Sequence, residues 1–191
     1  MTQSRCAWVT DDPLYIAYHD TEWGRPQEDP KLLFETLMLE GFQAGLSWLT
    51  ILKKRKNFRA TFAGFDPEIL ASWENEQVER LLQDPGIIRH RGKIEATLGG
   101  ARSWCRIMDE HPKGFAGFIW ESVAGAPRIN RFSRLEEVPS ETTESRALSA
   151  KLKKAGFRFV GPKICYAFMQ ASGLINDHQI NCFLHPDRLP Q

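Results

Sequence analysis

Apolar residues recur at every third or fourth position along much of the chain, which is the spacing of amphipathic α-helices. The clearest runs contain Leu32, Leu33, Phe34, Leu37 and Met38, and then Leu46, Leu49 and Leu52. Strict alternation of β-branched residues, which indicates β-strands, is scarce, and we discount its best instance, at 157–160. The pattern therefore predicts an all-α protein.

Capping residues mark the helix boundaries. Asp29-Pro30 and Asp66-Pro67 each place a carboxylate at the N-cap, followed by a proline at the first helical position. A polar-faced helix is expected over 145–154, with Gly156 placed to end it, and a further helix follows Gly161-Pro162. Because no linker or repeat divides the chain, we expect one compact helical unit with loosely structured ends.

Composition narrows the class of protein. The chain has 191 residues, 42% hydrophobic and 26% charged, which is typical of a soluble globular domain. No stretch approaches the roughly 18 consecutive apolar residues of a membrane span, and residues 1–12 lack the apolar run of a signal peptide. We therefore expect a cytoplasmic protein without a membrane partner. The net charge of +1 does not by itself indicate a nucleic-acid partner.

Two cysteine–histidine pairs lie near opposite ends of the chain. Cys6 precedes His19, and His178 precedes Cys182 at a spacing that would put both on one face of a helix. Two thiolates and two imidazoles suit tetrahedral Zn²⁺, and a metal between the chain ends would close a very long loop. Spacing alone supports this site and four ordinary buried side chains equally. His185 is near enough to compete with His178 as a ligand.

A turn rich in glycine and basic residues is expected at 155–161. The helix that follows it begins with amides that have no intrahelical partner, and such amides bind anions. The basic residues around this turn are Lys153, Lys154, Arg158 and Lys163. The turn resembles a helix-hairpin-helix motif that holds a DNA phosphate without reading sequence. An ordinary packing turn with solvated lysines is supported equally.

Aromatic residues are dense in the N-terminal half, and one carboxylate lies among them. The aromatic residues are Trp8, Tyr15, Tyr18, Trp23 and Trp48. Glu40 lies on a helix that faces the core, where a buried charge is costly without a partner. Taken alone, the residues slightly favour the alternative that Glu40 ends its helix facing water, with Gly41 as the cap.

Long and specific strings of residues resemble 3-methyladenine DNA glycosylase I. They are RCAW at 5–8, DPLYIAYHD at 12–20, EWG at 22–24, LEGFQAGLSW at 39–48, IIRHRGKI at 87–94, FVG at 159–161 and GLINDH at 173–178. The resemblance covers nearly the whole chain, from about Arg5 to Cys182. It implies an all-α, bilobal helix-hairpin-helix DNA glycosylase fold, with residues 1–191 as a single domain and the hairpin near 148–172.

The resemblance also implies the site residues. The implied ligands of one structural zinc ion, which joins the N- and C-terminal segments, are Cys6, His19, His178 and Cys182. The implied base pocket contains Glu40 as the catalytic residue with Tyr18 and Trp48, and has Trp8, Tyr15 and Trp23 nearby. We expect DNA contacts at Gly161 and Lys163. Gly45 and Leu46 would enter the gap that a flipped-out base leaves in the duplex, and the alternative is that Leu46 belongs to the core.

The function implied is a monofunctional DNA glycosylase of base-excision repair. It would act as a monomer on alkylated double-stranded DNA, release free 3-methyladenine and leave an abasic site. In the wider helix-hairpin-helix glycosylase superfamily a catalytic aspartate follows the hairpin, and its place here is taken by Asn176. We do not assign its role to the adjacent Asp177, because one residue turns a helical side chain by about 100°. A glycosylase for another lesion, a damage-binding protein without activity and a zinc-stabilised interaction module are the alternatives.

Overall fold

A computed structural model describes residues 4–189, and these are mostly helical. The α-helices are α1 (Pro13–Thr21), α2 (Pro30–Gln43), α3 (Trp48–Thr61), α4 (Pro67–Ala71), α5 (Asn75–Leu82), α6 (Arg91–Glu110), α7 (Gly114–Trp120), α8 (Thr143–Lys154) and α9 (Pro162–Ala171). Short 3-10 turns lie at Ala63–Phe65, Glu121–Val123, Leu135–Glu137 and Pro186–Arg188. The predicted helical character is therefore confirmed.

Two very short strands are an addition to the all-α prediction. Strand β1 (Arg128–Ile129) pairs in parallel with β2 (Ile175–Asn176). A strand of two residues is too short to show alternation in the sequence. The segment at 157–160 is not a strand, as expected. The ladder fixes the loop before α8 against the chain that leaves α9.

The predicted caps begin their helices. The Asp29 carboxylate accepts from the amides of Lys31 and Leu32, and the Asp66 carboxylate accepts from the amide of Glu68. A cap of this kind contributes about 1 kcal/mol. Helix α8 begins two residues earlier than predicted, because the Thr142 hydroxyl caps it.

Helix α2 lies at the centre of the apolar core, with Leu33, Phe34 and Leu37 fully buried. It packs against α3, α6, α7 and α9. Lys93 on α6 donates from its Nζ to the carbonyls of Phe42 and Ala44, at 2.8 Å each, and so closes the C-terminal end of α2. A helix held on all these sides is a rigid support for Glu40.

The two ends of the described chain are joined, which corrects the prediction that they are loosely structured. The Phe183 amide donates to the Ser4 carbonyl at 2.9 Å, and the Ala7 amide donates to Gln179 Oε1 at 2.6 Å. Residues 4–12 and 177–189 have little regular secondary structure but are hydrogen-bonded to each other. Among the described residues, no helix combines the length and the apolar character that a membrane span requires.

Candidate active site and metal centre

A cavity of about 250 Å³ lies among α1, α2, α3, α9 and the N-terminal segment. It brings together the six residues predicted for the base pocket: Trp8, Tyr15, Tyr18, Trp23, Glu40 and Trp48. Most ligand pockets measure about 300–1,000 Å³, so this cavity is sized for a compact, flat molecule rather than a large one.

The aromatic rings line the cavity in two groups. Trp8 lies against Tyr15 and Trp23, with ring centroids 4.9 and 5.0 Å apart. Tyr18 and Trp48 form the second group, with centroids 5.4 Å apart and planes inclined by 48°. Burial, followed by the charge of Glu40, raises the pKa of Tyr15 and raises that of Tyr18 further. Both phenols therefore stay neutral at physiological pH and present apolar faces.

Glu40 is a buried carboxyl group with an unsatisfied oxygen. Its side chain is 3% exposed, and Oε2 has no hydrogen-bond partner among the described residues. Burial raises the pKa of Glu40 to about 8. Because α2 continues to Gln43, the alternative of a solvent-facing helix end is wrong. Trp48 Nε1, on the same cavity, is also unpartnered among the described residues, so both groups are available to a ligand.

The four predicted metal ligands meet in one buried cluster. Sulfur and nitrogen atoms of Cys6, His19, His178 and Cys182 all lie within 4.8 Å of one another. The Sγ to ring-nitrogen distances recorded among them are 3.5 Å. Tetrahedral zinc with Zn–S near 2.3 Å and Zn–N near 2.05 Å separates such atoms by about 3.5 Å. The donor set and its spacing therefore fit a zinc ion.

Hydrogen bonds outside the cluster orient both histidine rings. His19 Nδ1 contacts Asp20 Oδ1 at 2.7 Å, and Asp20 is held by Arg5. His178 Nε2 contacts the Trp23 carbonyl at 3.2 Å. Since these acceptors engage one nitrogen of each ring, the lone pair of the other nitrogen is directed into the cluster, as in carboxylate–histidine–metal arrangements.

The local backbone at the candidate metal ligands His178 and Cys182 differs from the prediction. Residues 178–182 form a turn rather than a helix, closed by the Cys182 amide on the Gln179 carbonyl at 2.8 Å. His185 lies outside the cluster, and its Nε2 contacts the Asn130 carbonyl instead. Gly24 has a φ of +75°, and a Cβ there would lie 2.8 Å from His178 Nε2. A side chain at Gly24 would therefore displace the His178 ring.

The predicted DNA-contacting residues lie at the N-terminus of α9 and on the exposed loop before α3. Gly161 is the N-cap of α9, whose first amides have no side-chain cap, and Lys163 is exposed. Before α3, Gly45 has a φ of +84°, and the Leu46 side chain is 42% exposed. The alternative that Leu46 belongs to the core is therefore wrong. At the turn before α9, Phe159 adopts a left-handed φ of +55°.

Asp177 lines the cavity, although the helical geometry used for this segment turned it away from the place of the superfamily's aspartate. The prediction assumed a helix, whereas Asn176 ends strand β2 and its Oδ1 accepts from the His178 amide. Sequence reasoning also missed Gln170 of α9 and Leu135, both of which line the cavity. A carboxylate beside Asn176 was a usable signal for Asp177, but no sequence pattern distinguished Gln170 or Leu135.

Comparison with known proteins agrees with this geometry. The model of the methyladenine glycosylase family matches residues 8–185. DNA-3-methyladenine glycosylase 1 of Escherichia coli (strain K12) is 54% identical over 186 residues, which are 97% of this chain and 99% of that protein.

Solved structures give the same result. A crystal structure of 3-methyladenine DNA glycosylase I is 56% identical, with a TM-score of 0.93 over 96% of this chain and 100% of that chain. The Staphylococcus aureus 3-methyladenine DNA glycosylase I, whose structure concerns 3-methyladenine recognition, is 36% identical, with a TM-score of 0.92 over the full length of both chains. The chain belongs to the methyladenine glycosylase family.

Proposed function

We propose that this chain removes 3-methyladenine from alkylated double-stranded DNA by hydrolysing the N-glycosidic bond, which leaves an abasic site. The observation that carries the proposal is the buried, unpartnered carboxyl of Glu40 in an aromatic cavity large enough for one base. A buried polar atom without a partner destabilises the empty protein. The unpartnered oxygen of Glu40 therefore indicates that a ligand supplies the missing hydrogen bond.

The aromatic walls favour a cationic base. The lesion is flipped out of the duplex into the cavity, where the rings of Tyr18 and Trp48 lie against it. Methylation at N3 gives the adenine of the nucleotide a positive charge. The face of an aromatic ring stabilises a desolvated cation by about 2 kcal/mol. An unmodified adenine is neutral and does not receive this cation–π stabilisation.

Glu40 complements both the charge and the amino group of the lesion. With its pKa raised to about 8, the side chain is mostly neutral at pH 7 in the empty cavity. A cation brought into contact favours the ionised carboxylate, so binding of the lesion is coupled to release of the Glu40 proton. The ionised side chain then accepts a hydrogen bond from the exocyclic amine and stabilises the charged base.

The chemistry requires little from the protein. The positive charge makes the base a good leaving group, so hydrolysis by water proceeds without a strong carboxylate at the sugar, and Asn176 is used instead to bond the His178 amide. No lysine lines the cavity among the described residues, and the buried Lys93 amine is held by two carbonyls. These facts support a monofunctional enzyme without lyase activity.

The exposed loop at 44–47 and the turn at 155–161 would hold the DNA. In this proposal the unpaired amides after Gly161 and the Lys163 side chain bind a backbone phosphate, as in a helix-hairpin-helix motif. Leu46, raised on the loop before α3, fills the space that the flipped base leaves. Residues 1–191 would act together as one glycosylase domain.

Zinc would be held by Cys6, His19, His178 and Cys182. With four protein ligands no coordination position remains for water, so the ion supplies structure rather than catalysis. Tyr18 is adjacent to His19, and Trp23 contacts His178, with ring centroids 4.7 Å apart. The cluster therefore supports one wall of the cavity.

The test is incubation of the purified protein with methylated DNA, followed by identification of the released bases. Free 3-methyladenine as the main product is the expected result. Binding to methylated DNA without base release would favour a damage-binding protein, and release of a different base would favour another lesion. A covalent adduct trapped by borohydride would exclude the monofunctional mechanism.

A further inference from the structure

The cavity is lined by a second carboxyl side chain, that of Asp177, which lies beside helix α9. Asp177 is 2% exposed, and three donors converge on its carboxylate. Asn130 Nδ2 donates to Oδ1 at 2.7 Å, while the Tyr166 hydroxyl and Gln170 Nε2 donate to Oδ2 at 2.5 and 2.7 Å. These three hydrogen bonds fix the carboxylate in one orientation.

This contact determines which way the Gln170 amide faces. The Gln170 NH₂ group donates to Asp177 Oδ2, so the carbonyl oxygen of the same amide must face away from Asp177. Gln170 lines the cavity, and its Oε1 has no hydrogen-bond partner among the described residues. The contact with Asp177 therefore orients the side chain so that Oε1 is its free acceptor.

Two acceptors on one cavity match an amino group. The exocyclic amine of adenine carries two hydrogens, and Glu40 uses one of them in the proposed complex. We propose that Gln170 is a specificity-determining residue whose Oε1 accepts the second amino hydrogen of the methylated base, and that Asp177 is the positioning residue that fixes its orientation. This inference rests on the proposed function and extends it to discrimination between 6-amino and 6-oxo purines.

The discrimination follows from the fixed orientation. A purine with a carbonyl at C6 would place its oxygen against Gln170 Oε1, and neither atom has a hydrogen to share. A freely rotating glutamine would turn over and donate instead, so Gln170 rejects the oxo base only while Asp177 holds its NH₂ group. Removal of either residue should therefore reduce the same preference.

The experiment compares two free bases, 3-methyladenine, which has an amino group at C6, and 3-methylhypoxanthine, which has a carbonyl there. Dissociation constants are measured by tryptophan fluorescence for the wild type and for Gln170→Met, which keeps the length of the side chain without the amide. A hydrogen bond of ordinary strength predicts a loss of about 3- to 10-fold for 3-methyladenine and no loss for 3-methylhypoxanthine. An equal loss for both bases, or an unchanged ratio, would overturn the proposal.

Asp177 is tested by a matched pair of variants. Asp177→Ala frees the Gln170 amide, so the preference for the amino base should fall as in Gln170→Met. Asp177→Asn keeps an oxygen facing Tyr166 and Gln170, while its NH₂ group faces Asn130, whose amide can turn to accept it. Most of the preference should therefore return in Asp177→Asn, whereas equal loss in both variants would refute the positioning role.

The proposed function fails separately from this inference. If the wild type releases no 3-methyladenine from methylated DNA and binds neither base, the substrate assignment is wrong and this inference fails with it. If the wild type releases and binds 3-methyladenine but Gln170→Met retains the wild-type ratio of affinities, only the assignment of Gln170 and Asp177 is wrong.

Discussion

Replacement of Glu40 by glutamine measures how much the buried carboxyl destabilises the folded protein when no ligand is bound. Burial raises the pKa of this group from 4.5 to about 8, and each pKa unit corresponds to about 1.4 kcal/mol. Between these two pH values the folded protein retains a proton that the unfolded chain has released. The contribution of Glu40 to folding stability therefore falls as pH rises, by about 5 kcal/mol in total.

Glu40→Gln should remove this dependence, because glutamine does not ionise. The buried amide has its own cost, but that cost is the same at every pH. The free energy of unfolding of the variant minus that of the wild type should therefore increase by about 3.5 kcal/mol between pH 5 and pH 8. Urea denaturation followed by tryptophan fluorescence, without DNA and at matched zinc content, measures this difference at each pH.

Glu35→Gln is the matched control, since Glu35 lies on the same helix but is paired with Arg59 at 2.8 Å. It should show no gain in stability at high pH, because the substitution breaks an ion pair. If the wild-type and Glu40→Gln stabilities instead stay parallel from pH 5 to pH 8, Glu40 is not held as a neutral acid, and the proton release proposed for lesion binding is refuted.

Three further substitutions test the candidate metal cluster and the two segments proposed to contact DNA. Cys182→Ser should abolish zinc binding and lower the thermal midpoint by at least about 10 °C, measured by metal analysis and calorimetry; unchanged zinc content would contradict the four-ligand site. Lys163→Glu should make DNA binding less dependent on salt, with the slope of log affinity against log salt concentration smaller in magnitude by about one. An unchanged slope would show that Lys163 does not contact a phosphate. Leu46→Ala should weaken DNA binding and leave the thermal midpoint unchanged, because the side chain is 42% exposed; a loss of stability with unchanged DNA affinity would refute a DNA contact at Leu46.

Features set by local chemistry were predictable from the sequence. The carboxylates of Asp29 and Asp66 cap the helices they precede, because a cap depends on neighbouring residues alone. The grouping of Glu40 with the aromatic residues was implied by the family resemblance, and the cavity agrees with it. In isolation, the residues around Glu40 slightly favoured a solvent-facing position, since a local pattern does not reveal that α6 and α9 cover α2.

Features set by tertiary contacts were not predictable. The exclusion of Asp177 assumed helical geometry, whereas the pairing of β1 with β2 makes the chain before it extended. The orientation of Gln170 depends on that carboxylate seven residues later, and no periodicity encodes it. The turn at 178–182 is similar: the spacing of His178 and Cys182 suits a helix, but the hydrogen bonds of the neighbouring Gln179 to Ala7 and Ser133 hold a different backbone.

The joining of the two chain ends has a consequence for synthesis on the ribosome. Cys6 and His19 are made before helices α2 to α9, whereas His178 and Cys182, which complete the cluster with them, are made after all of these helices. A nascent chain that lacks residues after 177 has half of the ligand set and none of the contacts of Gln179 with Ala7. The cavity therefore becomes complete only after residues 177–182 have been made, and a chain terminated before them would lack one of its walls.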